Sequence, residues 1–109
     1  VRQHVIHYLN YYKNYPFALM QVEKLIKYNN LNTRADLIIS DRNLSPIILV
    51  ECKAPGVKIN KNAFDQIAKY NFSLKAKYLY VTNGLTHYCC SINYNNGKII
   101  YLKDIPANI

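Results

Sequence analysis

The chain has 109 residues, half of them apolar and 18% charged, with no low-complexity tract or linker, so it reads as one folded domain, too short for two. Fourteen basic against six acidic residues leave a net charge of +8, which suits a polyanionic partner, nucleic acid first; Lys, Asn, Ile and Tyr richness also follows from AT-rich coding, so charge alone leaves both readings open. No stretch approaches the roughly 20 apolar residues of a membrane span, and no signal-peptide pattern opens the sequence, so a cytoplasmic protein without a membrane partner is expected.

In chain order, Val1, Val5, Tyr8, Leu9 and Tyr12 recur at helical spacing and Asn14-Tyr15-Pro16 supplies a stop, so a helix is predicted over 1–14. Because Val1 already fits that pattern, the chain suits a module excised from something longer. His4 and His7 lie on the surface face of this helix and, like His87, have no ligand spacing with the cysteines, which favours solvated histidines over a metal site. The run Gln21-Val22-Glu23-Lys24-Leu25-Ile26-Lys27 fits helix or strand; strand is preferred, closed by an Asn29-Asn30 turn.

Two β-branched runs, 35–40 and 47–53, flank the turn chemistry of Asp41-Arg42-Asn43-Leu44-Ser45-Pro46 and read as a hairpin, ended by Ala54-Pro55-Gly56. Ala63, Phe64, Ile67, Ala68 and Leu74 fall on one arc, giving an amphipathic helix over 60–74. Three strands follow: 78–82 up to Asn83-Gly84, then an alternating run over 86–94, then 99–102 after the hairpin signal Asn96-Gly97. Helix, three strands, helix, three strands is an α/β or α+β domain around a mixed sheet. The odd cysteine count argues against a disulfide framework, and Cys52, Cys89 and Cys90 read as reduced, buried small hydrophobes, with Cys89 and Cys90 facing opposite sides of the sheet. Most of the eleven tyrosines read as core and rim packing, with stacking on bases as the alternative.

The hairpin carries the chemistry. With the turn centred between Asn43 and Leu44, Asp36 falls opposite Glu51, while Leu49, Glu51 and Lys53 share one face and Ile48, Val50 and Cys52 the other. Directly opposed carboxylates repel by roughly 0.2 to 1 kcal/mol, and by more when partly buried. Either one carboxyl has a raised pKa or a hard divalent cation sits between them, because carboxylate oxygens suit Mg²⁺. A water on such a cation is a nucleophile for phosphodiesters, and the Lys53 ammonium can neutralise charge developing on phosphorus oxygens. The competing reading is an ion pair between Lys53 and one carboxylate at a solvated strand end.

Asp36 followed by Glu51-Cys52-Lys53 at the end of a hydrophobic strand resembles the metal-binding motif of the PD-(D/E)XK nuclease superfamily. The next predicted helix carries Gln66-Ile67-Ala68-Lys69-Tyr70, similar to the Gln-x-x-x-Tyr signature of the branch containing type I restriction subunits and RecB-like nucleases. Val22-Glu23-Lys24, Arg34-Ala35-Asp36, Val50-Glu51-Cys52-Lys53-Ala54-Pro55, Phe64 to Asn71 and Val81-Thr82-Asn83-Gly84 together resemble the N-terminal nuclease domain of the type I restriction enzyme R subunit (HsdR) over most of the chain. The proline that precedes the aspartate in the superfamily is replaced by Ala35.

This resemblance implies a restriction-endonuclease-like αβββαβββ core and Mg²⁺-dependent endonucleolytic cleavage of DNA in a type I restriction-modification system, with Mn²⁺ able to substitute. It implies that Asp36 and Glu51 hold the metal, with the Val50 or Cys52 carbonyl a further ligand. Lys53 then orients the attacking water or stabilises the phosphorane, and Gln66 and Tyr70 position DNA or the catalytic groups. Lys58, Lys61, Lys69, Lys75 and Lys77 are the candidates for phosphate contacts, with an ordinary solvated face as the alternative. Glu23 is a candidate extra acidic group, against a plain solvated Glu. The implied partners are DNA, a helicase-type translocase motor and the methylation and specificity subunits; no ATP-binding loop occurs in these residues. A stand-alone repair or junction-resolving nuclease, and a catalytically silent DNA-binding or assembly module of the same fold, are the alternatives.

Overall fold

The computed structural model describes residues 1–28, 31–60, 62, 65, 67, 68, 71 and 74–108, with 24–28 and 31–33 described in their backbone alone. The Asn29-Asn30 turn therefore lies outside the described residues. Helix α1 (Arg2–Tyr11) and a short 3-10 turn (Phe17–Leu19) precede strands β1 (Met20–Tyr28), β2 (Leu31–Ser40) and β3 (Pro46–Cys52); β4 (Tyr78–Thr82), β5 (His87–Asn93) and β6 (Lys98–Leu102) complete one six-stranded sheet. The strands lie in chain order, every neighbouring pair antiparallel except β3 and β4, which are parallel. A parallel pair needs a crossover rather than a tight turn. It is here that Asn62, Asp65, Ile67, Ala68, Asn71 and Leu74 are helical, within the segment predicted as the second helix. Among the described residues the elements follow the expected order, a helix, three strands, helical residues and three strands, and the run 20–28 forms the strand that sequence pattern preferred.

Helix α1 stops where Asn14 turns left-handed (φ 64), and the Tyr15 N–H reaches back to the Leu9 carbonyl at 3.1 Å, satisfying a helix-end acceptor before Pro16. Its buried residues Val5 and Leu9, one turn apart, pack with Leu37, Ile39, Ile48, Val50, Tyr80 and Cys89 on one side of the sheet. The other side buries Ile38, Leu49, Leu79, Val81 and Cys90 under Ile59 and Ile67 of the β3–β4 crossover. The period of two along the strands sets this division, and it sends Cys89 and Cys90 to opposite faces as predicted. After β6 the chain returns to α1: Ile105 is fully buried in the α1-side core, the Tyr15 hydroxyl donates to the Pro106 carbonyl at 2.6 Å, and the Asn108 N–H donates to Lys13 O at 2.7 Å. Among the described residues no helix is long and apolar enough to cross a membrane.

Candidate active site at the end of the central hairpin

The β2–β3 register carries the site. Leu37 pairs with Val50, Ile38 with Leu49 and Ile39 with Ile48, so the next step along the ladder sets Asp36 against Glu51, as the hairpin geometry predicted. The turn itself is shifted: Ser40 pairs with Pro46, and an irregularity between Ile39 and Ser40 restores the register. Asp41 explains the shift, its carboxylate accepting from the Asn43 and Ser45 N–H groups at 2.8 and 2.9 Å while Leu44 takes a positive φ of 64°.

The Cys52 N–H donates to Asp36 Oδ2 at 2.7 Å, tying the aspartate across the strand gap beside Glu51. Glu51 follows Leu49 on its face and pairs across the sheet with buried Val81, so the carboxylate pair sits at the rim of the crossover-side core. Burial, then a hydrogen bond with Asp36 and the charge of Asp36, push the Glu51 carboxyl from 4.5 up to about 8, while Lys53 pulls it down. Glu51 is therefore largely protonated near neutral pH. Cys52 points away and packs partly against the α1-side core, where burial first, and the charges of Asp36 and Glu51 next, push its thiol up to about 11, leaving it unreactive.

Lys53 is half-buried, and its backbone N–H continues the parallel ladder to Thr82 O at 2.8 Å. Among the described residues the ion pairs are Arg2–Glu23 and Lys13–Asp104, so Lys53 does not close onto either carboxylate and the simple strand-end ion pair is not formed. Glu23 would fall opposite Asp36 in the β1–β2 ladder, yet its φ is 53° and its side chain reaches Arg2 Nη1 of α1 at 3.1 Å. It is exposed and engaged there rather than gathered into the carboxylate pair. Lys58, Lys75 and Lys77 are exposed. Gln66, Tyr70, Lys61 and Lys69 lie outside the described residues, although their neighbour Ile67 packs on the face that carries Glu51. Among the described residues no group of three His, Cys, Asp or Glu side chains converges; the carboxylates number two.

The sequence marks Asn83-Gly84 as the end of β4, and the structure adds a buried polar network at this turn. Thr82 is fully buried, its hydroxyl accepting from the Gly84 N–H at 3.0 Å and bonded to His87 Nδ1 at 2.6 Å; Asn83 is nearly as buried. A buried polar pair at the end of a strand was the available signal. A cleft of about 650 Å³ opens beside this turn on the α1 side, bordered by His4, Tyr8, Leu85 and His87, but neither Asp36 nor Glu51 lines it, and volume does not mark the carboxylate site.

Residues 1–106 match the model of the family described as type I restriction enzyme R protein N terminus. The chain belongs to this R-protein N-terminal family. A solved fragment assigned as an HsdR subunit of a type I restriction enzyme from Vibrio vulnificus YJ016 has the same fold, with 21% identity and a TM-score of 0.63 over 94% of this chain. The present chain spans 22% of that chain's length. No curated protein matches it. Membership in the R-protein N-terminal family and the mixed six-stranded sheet with its flanking helix agree with the restriction-endonuclease-like architecture expected from sequence.

Proposed function

We propose that this domain is the Mg²⁺-dependent endodeoxyribonuclease module of a type I restriction system, hydrolysing DNA phosphodiester bonds at the end of β3. The observation that carries the reading is the geometry of Asp36 and Glu51, set side by side by the β2–β3 register with Asp36 fixed by the Cys52 N–H, two carboxyls gathered where positive charge is wanted. Carboxylate oxygens are the donors that Mg²⁺ prefers, and the pair therefore fits the ion. Of the two backbone carbonyls expected as further ligands, that of Cys52 belongs to the residue whose N–H already meets Asp36. Mg²⁺, when bound, supplies an acidified water and neutralises charge on the phosphate. Asp36, fixed by Cys52, orients its free oxygen; Glu51 would give up its own proton on loading; and Lys53, held by neither carboxylate, is free to meet the charge that grows on the phosphorane oxygens.

The net charge of +8 and the exposed Lys58 and Lys75 suit phosphate contacts on the DNA. Gln66 and Tyr70, and Lys61 and Lys69 with them, are assigned positioning and phosphate-contact roles from the motif alone. Sequence recognition and translocation would belong to the specificity subunit and to a motor elsewhere in the R subunit, with the methylation subunit completing the complex. The test is plasmid nicking with Mg²⁺ by wild-type protein beside Asp36→Ala and Lys53→Ala. Metal-dependent nicking lost in both variants supports the assignment. Nicking unaffected by either substitution refutes the site, and no metal-dependent nicking by wild type leaves a binding or assembly module.

A further inference from the structure

The side chain of Asn83, a residue only 6% exposed, makes three hydrogen bonds that divide into two kinds. Its Oδ1 accepts from Leu85 N at 2.9 Å and from Thr86 N at 2.7 Å, closing the β4–β5 turn. Its Nδ2 leaves the turn and donates to the Val57 carbonyl at 2.9 Å. Val57 lies in the exposed segment 54–58 that follows Lys53 directly. That segment is held at its start by the Lys53 N–H on Thr82 O at 2.8 Å, and within itself by the Val57 N–H on Ala54 O at 2.9 Å. Ala54, Pro55, Gly56, Val57 and Lys58 are all exposed, so the segment has no buried side chain to fix it before Ile59. Both anchors come from adjacent residues of β4's end, and the one made by a side chain is Asn83.

We infer that Asn83 is a positioning residue for Lys53. By holding the Val57 carbonyl it fixes the loop that leaves β3, and with it the direction in which the Lys53 side chain departs and the placement of Lys58 beside it. The inference rests on the nuclease reading above, which assigns Lys53 its chemistry. A turn-closing Asn would need only its Oδ1; the outward amide bond to the loop that leaves β3, 26 residues away in sequence, is what a purely local role leaves unexplained.

Asn83→Asp separates the two kinds of bond. A carboxylate still accepts from Leu85 and Thr86, but it turns an acceptor against the Val57 carbonyl where an N–H₂ donated. Asn83→Ser is the second variant, since a hydroxyl can cap the turn and is too short to reach Val57. The measurements are steady-state plasmid nicking with Mg²⁺, Mn²⁺ affinity by calorimetry, thermal unfolding, and amide exchange of residues 53–58. The expected result is faster exchange across 53–58 and kcat lower by about tenfold, with KM and Mn²⁺ affinity close to wild type and a melting temperature lowered by a few degrees. Damage to the fold in general would lower Mn²⁺ affinity and kcat together and overturn the inference, as would wild-type kcat in both variants. Wild-type protein that cleaves nothing with Mg²⁺ overturns the nuclease reading and the positioning role with it. Wild-type cleavage matched by Asn83→Asp overturns this inference alone.

Discussion

The backbone N–H of Cys52 donates to the carboxylate of Asp36 at 2.7 Å, and this single bond across β2 and β3 sets where the aspartate stands relative to Glu51. The bond uses one oxygen of Asp36 and leaves the other directed by it. It also explains why the middle residue of Glu51-Cys52-Lys53 matters through its backbone while its thiol packs on the far face. Cys52→Ala and Cys52→Val should accordingly keep metal-dependent nicking near the wild-type rate, since every residue but proline supplies that N–H. Cys52→Pro removes the donor and should abolish nicking; nicking assays on the three proteins check this.

The Glu51 carboxyl gives the fold a pH dependence whose sign can be worked out. Its folded-state pKa of about 8 lies above the ordinary 4.5, so the folded protein holds a proton that the unfolded chain releases. The stability contributed is complete below about 4.5 and is lost as pH rises through about 8. Thermal unfolding followed from pH 4 to 9 in the presence of a chelator should show this decline, and Glu51→Gln should flatten it and melt higher than wild type at the alkaline end. Mg²⁺ should flatten it too, by taking the place of the Glu51 proton.

Much of this was legible beforehand, and the reasons are local. Period-two runs and the Asp41 to Pro46 turn were enough to place Asp36 opposite Glu51, because a slip of one residue beyond the turn would send every side chain of the strand to the other face. The details near the turn were not legible: the carboxylate of Asp41 captures two N–H groups, shifts the first pair to Ser40 and Pro46, and a bulge then restores the register. Glu23 could not be assigned from pattern either, since its positive φ and its bond to Arg2 depend on α1 lying over the sheet. Asn83 looked like turn chemistry, and its bond to Val57 joins residues 26 apart in sequence, a contact that no spacing rule encodes.

The return of the chain to α1 makes a second prediction about stability. Ile105 is fully buried beside Val5 and Leu9, and the buried Tyr15 hydroxyl meets the Pro106 carbonyl at 2.6 Å. Ile105→Ala should cost about 2–5 kcal/mol and Tyr15→Phe about 1–2 kcal/mol. Urea unfolding at fixed pH measures both, and because the two sites are close their effects should fall short of additive in the double variant.

Gly84 carries the backbone of the β4–β5 turn at φ +90°, and a Cβ there would lie 3.3 Å from Val1 Cγ2. Gly84→Ala should cost about 1–3 kcal/mol through the left-handed backbone alone. Since the N–H of Gly84 also bonds the Thr82 hydroxyl, the substitution should speed amide exchange at residue 84 more than in β4 itself, which hydrogen-exchange measurements resolve.

The central claim is that Asp36 and Glu51 form a divalent-metal site, and Mn²⁺ binding measured by calorimetry at neutral pH tests it without requiring turnover. Wild-type protein should bind Mn²⁺ with release of protons, and Asp36→Ala should lose that binding while remaining folded; Mn²⁺ bound equally well by Asp36→Ala would contradict the account.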